Sequence, residues 1–258
     1  MTTINQSQKP KISVVIPTYN EENLIKETLI AIKKQICSFN YEIIVVDGQS
    51  TDKTISIAKD FAKVYVSPQK GKAYQLNYAA QKASGDIFLF LDADTLINPF
   101  FLQKISEVFE KNKNLFACSA RIKYYDGIAF SFKIGYLKFT ITKYFFQNLG
   151  SHLYYFFKTL VGYPELSGTN MIVRRDIFFK TGGFKQPPHS LGIDKVFSDS
   201  LIYLSRKLRK GKIKTLTFIS VFTSGRYLTV KRSFKRIYQY FTQKELYHDL
   251  AKGVNKSE

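Results

Sequence analysis

The stretch IFLFLDAD, residues 87–94, decides the fold, because a short, wholly apolar run ends abruptly in two carboxylates. A run of four to eight apolar residues bounded by polar residues is typical of a buried strand. Two earlier runs, ISVVI at 12–16 and EIIVV at 42–46, have the same character and end at Pro17 and Asp47. We therefore predict several strands that are buried on both faces, as in a parallel sheet.

Helical patterns separate these strands. Apolar residues recur at helical spacing over 24–36, with Asn20 marking the start of that helix. Two more helices are expected, one after the capping residues 50–52 and one over 73–83, with a short strand at 64–66 between them. Strands that alternate with helices predict an α/β fold, with a mostly parallel central sheet flanked by helices.

Ligands of such sheets bind at the carboxyl ends of the strands, which directs attention to residues 17–21, 47–52 and 92–95. Asp92 and Asp94 stand at positions i and i+2 directly after a predicted buried strand. Carboxylate oxygens are the ligands that hard divalent cations prefer. We therefore predict a Mg²⁺ or Mn²⁺ site formed by these two residues.

The charge of the chain indicates an anionic partner. The 258 residues are 45% hydrophobic, and 39 Lys and Arg against 20 Asp and Glu give a net charge of +19. Phosphate, nucleic acid and lipid headgroups all fit such a charge. Cys37 and Cys118 are too few for a disulfide framework, and His152, His189 and His248 show no metal-ligand spacing.

Four motifs occur in order: VVIPTYNE at 14–21, VVDGQSTD at 45–52, KGK at 70–72 and LDAD at 91–94. Together they resemble family 2 glycosyltransferases of the GT-A fold. The resemblance covers residues 11–226 and implies a nucleotide-diphosphate sugar as donor, a divalent cation and inversion at the anomeric carbon. It divides the chain into a polar extension at 1–10, a nucleotide-sugar half at 11–100, an acceptor half at 101–226 and a basic helix and tail at 227–258.

The resemblance also assigns donor-binding roles. Pro17, Tyr19 and Glu21 would line the nucleoside pocket, and Asp47 would accept a hydrogen bond from the base. The base could be uracil, guanine or thymine, since each presents an imide N–H. Lys70 and Lys72 would face the diphosphate together with Asp92. Arg226 would reach the diphosphate or belong to a basic surface.

Residues 166–175 and 181–184 resemble the acceptor side of the same family, where a following helix commonly carries an acidic pair. Here a single carboxylate, Asp199, stands between two serines, and it is the predicted general base, with Asp194 as the alternative. A lipid phosphate acceptor is already ionised at neutral pH and would need no base. Transfer of the sugar to polyprenyl phosphate is therefore the alternative hypothesis for the activity.

Aromatic residues and lysines without any acid fill residues 127–164, and a second acid-free, basic stretch covers 200–244. Such composition favours contact with an anionic membrane surface, and the alternative is a helical subdomain packed on the sheet. We expect an aromatic-rich helical or interfacial appendage, no spanning helix, and a cytoplasmic protein at the inner face of the membrane. The acceptor would then be lipid-linked or part of a cell-surface glycan.

Two other classes compete with this reading. A nucleic-acid-binding protein would also be basic and aromatic, but no recognised nucleic-acid motif occurs and the four motifs would remain unexplained. A nicotinamide-dependent dehydrogenase would also alternate strands and helices. Its glycine-rich phosphate loop is missing after the first strand, where PTYNE stands at 17–21. We therefore expect no nucleic acid as partner.

Overall fold

The computed structural model describes residues 10–124, 163–185 and 192–226, the backbone of 129–134 and 137–142, and five single positions between 153 and 160. The strands are β1 Ile12–Thr18, β2 Tyr41–Asp47, β3 Lys63–Val66, β4 Ile87–Leu91, β5 Thr95–Ile97, β6 Leu115–Tyr124, β7 Ala129–Ile134, β8 Leu137–Thr142, β9 Asn170–Arg174 and β10 Lys212–Thr223. The helices are α1 Ile25–Lys33, α2 Thr54–Lys59, α3 Lys72–Lys82, α4 Phe101–Lys111, α5 Arg175–Lys180 and α6 Ile193–Lys207.

An eight-stranded mixed sheet forms the centre of the fold, in the order β3-β2-β1-β4-β9-β6-β10-β5. Strands β3, β2, β1 and β4 run parallel to one another, and β6 runs parallel to β10. Strand β9 is antiparallel to both of its neighbours, and β5 is antiparallel to β10. The strand order reverses between β1 and β4, which is where α/β sheets open a ligand crevice.

Helices cover both faces of the sheet, as the sequence predicts. On one face α1 and α4 pack Leu29 and Phe101 against the strands. On the other, α3, α5 and α6 supply Leu76, Phe178 and Phe197. Burial of these large side chains provides the main driving force for the fold.

Two sequence predictions need correction. Asn20 does not cap α1, which begins at Ile25; it adopts a left-handed φ of 53° and its side chain accepts a hydrogen bond from the Thr51 N–H at 2.9 Å. The appendage over 127–164, expected to be helical or interfacial, contains the hairpin of β7 and β8 at residues 129–142. The signal was present in the sequence, because FSFKI at 130–134 alternates apolar and polar residues with the period of a strand.

Several predictions fall outside the described residues. They include the extension before residue 10, the tail after 226 and the three histidines. Cys118 is buried in the core, and burial raises the pKa of its thiol, whereas Cys37 is only partly buried. Among the described residues, no helix is long and apolar enough to cross a bilayer.

Candidate active site

The loops after β1 and β2 are tied to each other by short polar side chains. Asp47, at the end of β2, is fully buried, and it accepts hydrogen bonds from the Thr18 hydroxyl at 2.9 Å and from the Ser50 hydroxyl and N–H at 2.6 and 2.7 Å. The Asn20 N–H donates to the Ser50 hydroxyl at 2.8 Å. Asp47 therefore organises this loop pair, and its contact with a base stays a prediction.

Gln75 of α3 supports the same loop pair from below. Its side-chain amide donates to the carbonyl oxygens of Thr18 at 2.8 Å and Val46 at 3.0 Å. A Cβ atom at position 48 would lie 2.9 Å from Gln75 Nε2, so a larger residue there would have to displace this amide from its two carbonyl partners. The ends of β1 and β2 are thus held at a fixed separation next to the crevice.

The predicted nucleoside residues lie at the rim of this loop pair. Tyr19 is 53% exposed, which leaves its ring available for stacking, and Pro17 is half-buried. Glu21 is engaged within the chain, because its carboxylate accepts two hydrogen bonds from Arg226 Nη2, at 2.6 and 2.7 Å. Lys70 is exposed, and Gly71 beside it adopts a φ of 124° at the start of α3.

The predicted metal ligands stand at the end of β4, on the other side of the switch point. Lys72 Nζ donates to Asp92 Oδ1 at 2.5 Å and to the Gly168 carbonyl at 3.3 Å. Burial alone would lower the pKa of Lys72. The negative charges of Asp92, Asp194 and Asp94 outweigh this effect, so the pKa of Lys72 is raised. The ammonium group is therefore held charged beside Asp92.

Asp94 lies deeper than Asp92. Its Oδ1 accepts a hydrogen bond from the Thr223 hydroxyl at 3.2 Å, and its Oδ2 lies 3.4 Å from Arg226 Nε. Burial and the neighbouring Asp92 charge raise the pKa of Asp94, while Arg226 and Thr223 act in the opposite direction. The site thus combines acidic and basic side chains from four distant parts of the chain.

The two candidate bases occupy different surroundings on α6. Asp194, in the first turn, accepts a hydrogen bond from the Gly168 N–H at 3.2 Å, next to the turn that Lys72 contacts. Asp199 is paired with Lys195 of the same helix. The two carboxylates are five residues apart, which is about 140° around the helix axis. The structure brings Asp194, not Asp199, to the Lys72 and Asp92 cluster.

Glu165 is an acidic residue of this region that the sequence analysis missed. Its Oε2 accepts a hydrogen bond from the Tyr154 hydroxyl at 2.9 Å and lies 3.5 Å from Lys158 Nζ. Burial, followed by the nearby Asp194 charge, raises the pKa of Glu165. No local motif marks this residue, and only its long-range position next to Asp194 connects it with the site.

The residues at the end of β4 fit a divalent cation that arrives with a phosphate. Within the described part of the chain, no group of three or more acidic, His or Cys side chains could hold a metal alone. Mg²⁺ is usually held by one or two carboxylates together with substrate phosphates, and Asp92 and Asp94 supply that number of ligands. A cation here would depend on a second ligand for the rest of its coordination.

Comparison with known proteins agrees with this geometry. Residues 13–182 match the profile of glycosyl transferase family 2. A dolichol-phosphate mannosyltransferase of Pyrococcus furiosus is 32% identical over 119 residues, which cover 44% of this chain and 34% of that protein. The chain spans about a third of the length of the curated relatives it matches, 29%, 34% and 35% for three of them.

Solved structures share the fold. The mannosyltransferase PcManGT of Pyrobaculum calidifontis, in complex with GDP-Man and Mn²⁺, has a TM-score of 0.62 and 22% identity, covering 98% of this chain and 66% of its own. Staphylococcus aureus TarS 1-349 with UDP-GlcNAc has a TM-score of 0.61 and 24% identity, covering 86% and 61%. The predicted GT-A fold is confirmed, and the chain belongs to glycosyl transferase family 2.

Proposed function

We propose that the protein transfers a sugar from a UDP- or GDP-sugar to a hydroxyl acceptor, with inversion and with dependence on Mg²⁺ or Mn²⁺. The observation that carries this proposal is the placement of Asp92 and Asp94 at the end of β4, beside Lys72 and Arg226. Paired carboxylates with adjacent basic groups suit a cation-bound diphosphate. The nucleotide sugars bound by TarS and PcManGT support the same donor class.

The donor would lie across the switch point. Tyr19 offers a stacking face for the base, Pro17 and the loop held by Asp47 form the pocket beside it, and Lys70 and Lys72 face the diphosphate. A bound Mg²⁺ or Mn²⁺ would neutralise charge on the leaving diphosphate. Lys72 is already held charged beside Asp92, so it would add to this stabilisation once the diphosphate is bound.

Asp194 is the better candidate for the general base. It would take the proton of the acceptor hydroxyl as the new bond to the anomeric carbon forms and the bond to the diphosphate oxygen breaks. Attack from the side opposite the diphosphate inverts the anomeric centre. Asp194 is favoured over Asp199 because its carboxylate lies against Gly168, whereas Asp199 is neutralised by Lys195.

The acceptor would be lipid-linked or part of a cell-surface glycan, handled at the cytoplasmic face of the membrane. The aromatic and lysine-rich composition of 127–164 supports this, since the chain leaves the sheet at Tyr124, at the same edge as the site. The basic residues 206–214 lie at the opposite edge, around the start of β10, and do not extend that surface. Polyprenyl phosphate is the alternative acceptor, and it would make Asp194 dispensable.

Thermal stabilisation by a nucleotide panel, with and without Mn²⁺, tests the donor class. A ligand that binds the folded state raises the melting temperature. We expect a Mn²⁺-dependent shift with UDP or GDP that Asp92→Asn abolishes and that the control Asp60→Asn, at an exposed position after α2, retains. Tight, salt-sensitive DNA binding without any nucleotide shift would instead identify a nucleic-acid-binding protein.

A further inference from the structure

Each of the two carboxylates that would hold the cation is already paired with a basic side chain. Lys72 pairs with Asp92 at 2.5 Å. Arg226 Nε lies 3.4 Å from Asp94 Oδ2, and Arg226 Nη2 donates to both oxygens of Glu21. In this state two basic side chains of the chain itself balance part of the negative charge of the crevice.

Arg226 is placed to act across the whole donor site. It follows β10, while Glu21 follows β1 and Asp94 follows β4, so one guanidinium connects three chain segments at the same edge of the sheet. The Asp94 side chain is only 9% exposed and that of Glu21 14%, whereas Arg226 keeps 31% of its side chain in contact with solvent. The arginine can therefore leave towards solvent or towards a ligand without unpacking the core.

A cation on Asp94 and the Arg226 guanidinium compete for the same carboxylate. Like charges about 4 Å apart repel, so a cation bound to Asp94 would weaken the pairing of Arg226 with that carboxylate. A guanidinium is also a preferred bidentate partner of phosphate oxygens. A diphosphate that enters with its cation would offer Arg226 a new partner while the cation removes the old one.

We propose that Arg226 is an exchangeable internal counter-ion: it pairs with Glu21 and Asp94 before the donor binds and moves to the diphosphate when the donor and its cation arrive. This rests on the proposed donor and metal site. This exchange makes the cation and the nucleotide bind cooperatively, because the diphosphate of the nucleotide replaces Asp94 as the partner of Arg226. A metal ion alone would have to displace the arginine without compensation.

Isothermal titration with Mn²⁺, in the absence and in the presence of saturating UDP or GDP, tests the exchange through binding alone. Arg226→Gln should bind Mn²⁺ about fivefold or more tightly than wild type when no nucleotide is present. The same variant should bind the nucleotide with Mn²⁺ about fivefold or more weakly, because the diphosphate has lost its partner. Arg226→Lys, which keeps the charge but not the planar fork, should fall between the two proteins in both titrations.

Arg175→Gln is the matched control, since Arg175 is exposed at the start of α5 at the opposite edge of the sheet, and both of its affinities should equal those of wild type. Unchanged or weaker Mn²⁺ binding by Arg226→Gln without nucleotide would overturn the exchange. If wild type binds Mn²⁺ but neither nucleotide, the proposed donor is wrong, and the titration with Mn²⁺ alone still decides whether Arg226 competes with the metal.

Discussion

The two sides of the crevice are built differently. The donor-side loops, residues 18–22 and 47–54, are joined by hydrogen bonds between backbone N–H groups and short polar side chains, such as Glu21 N–H to Thr54 Oγ1 at 2.7 Å. The acceptor-side residues, 165–169, are joined to the first turns of α6 by the Leu166 N–H bond to the Ser198 hydroxyl at 2.9 Å and the Gly168 N–H bond to Asp194 at 3.2 Å. The partly buried Glu165 lies close enough to Asp194 to be affected by its charge. The donor side therefore depends on exact local geometry, and the acceptor side depends on charge and protonation.

Removal of the cation carboxylates should have the largest effect. Asp92→Asn and Asp94→Asn each remove a charged ligand at the junction of the two sides, and we expect transfer to fall about 1000-fold or more. Sugar transfer or donor hydrolysis with Mn²⁺ measures this, together with the melting temperature in the absence of ligand. Full activity in a folded Asp94→Asn protein would contradict the metal assignment.

On the acceptor side, kinetics should distinguish the two candidate bases, Asp194 and Asp199. Asp194→Asn should lower kcat about 100-fold while donor binding is retained, because general base catalysis contributes that order of magnitude. Asp199→Asn should leave kcat close to wild type, since the Lys195 pair that it breaks lies away from the Lys72 and Asp92 cluster. Steady-state kinetics with a hydroxyl acceptor compares the two variants.

The reverse ranking would return the role of base to Asp199. Equal, near-normal activity of both variants would favour an acceptor that is already ionised, such as a polyprenyl phosphate. The pair of variants thus tests the acceptor class as well as the residue.

The difference between the two sides also explains what could be predicted from the sequence. Asp92 and Asp94 can be predicted because they follow a buried strand, and Lys72 is predicted from the resemblance of the KGK motif at 70–72. The pairing of Glu21 with Arg226 joins residues 205 positions apart, and no local pattern encodes it. The sequence favours Asp199 because it stands at the place of the family's acidic pair, whereas the contact that favours Asp194 is with Gly168, 26 residues away.

The donor side should be sensitive to the loss of single hydroxyl groups. Ser50→Ala removes the hydroxyl that bonds Asp47 and the Asn20 N–H, and it leaves a buried carboxylate with fewer donors. We expect a loss of about 1–3 kcal/mol in the free energy of unfolding and a higher KM for the donor. Chemical denaturation and donor titration measure these effects.

Ser56→Ala is the control for this prediction, since its hydroxyl bonds only the exposed Lys53 carbonyl at 2.8 Å and should be nearly neutral. Equal stability of the two variants would show that the donor-side loops do not depend on this network.

The smallest effect should be the pH dependence contributed by Glu165. Burial and Asp194 raise the pKa of Glu165, so its protonated form favours the fold below the unfolded pKa of about 4.3, and this contribution is lost as the pH rises through the folded pKa. Glu165→Gln cannot ionise, and its stability relative to wild type should therefore increase from pH 4 to pH 7.

Glu110 provides a control of opposite sign for this measurement. Its pairing with Lys11 lowers the pKa of Glu110, so its ionised form stabilises the fold above the unfolded pKa and this contribution is lost as the pH falls. Glu110→Gln should lose stability relative to wild type over the same rise in pH, as urea denaturation at several pH values would measure. If the stability difference between Glu165→Gln and wild type did not change with pH, the acceptor side would tolerate two ionised carboxylates. Charge would then not distinguish the acceptor side from the donor side.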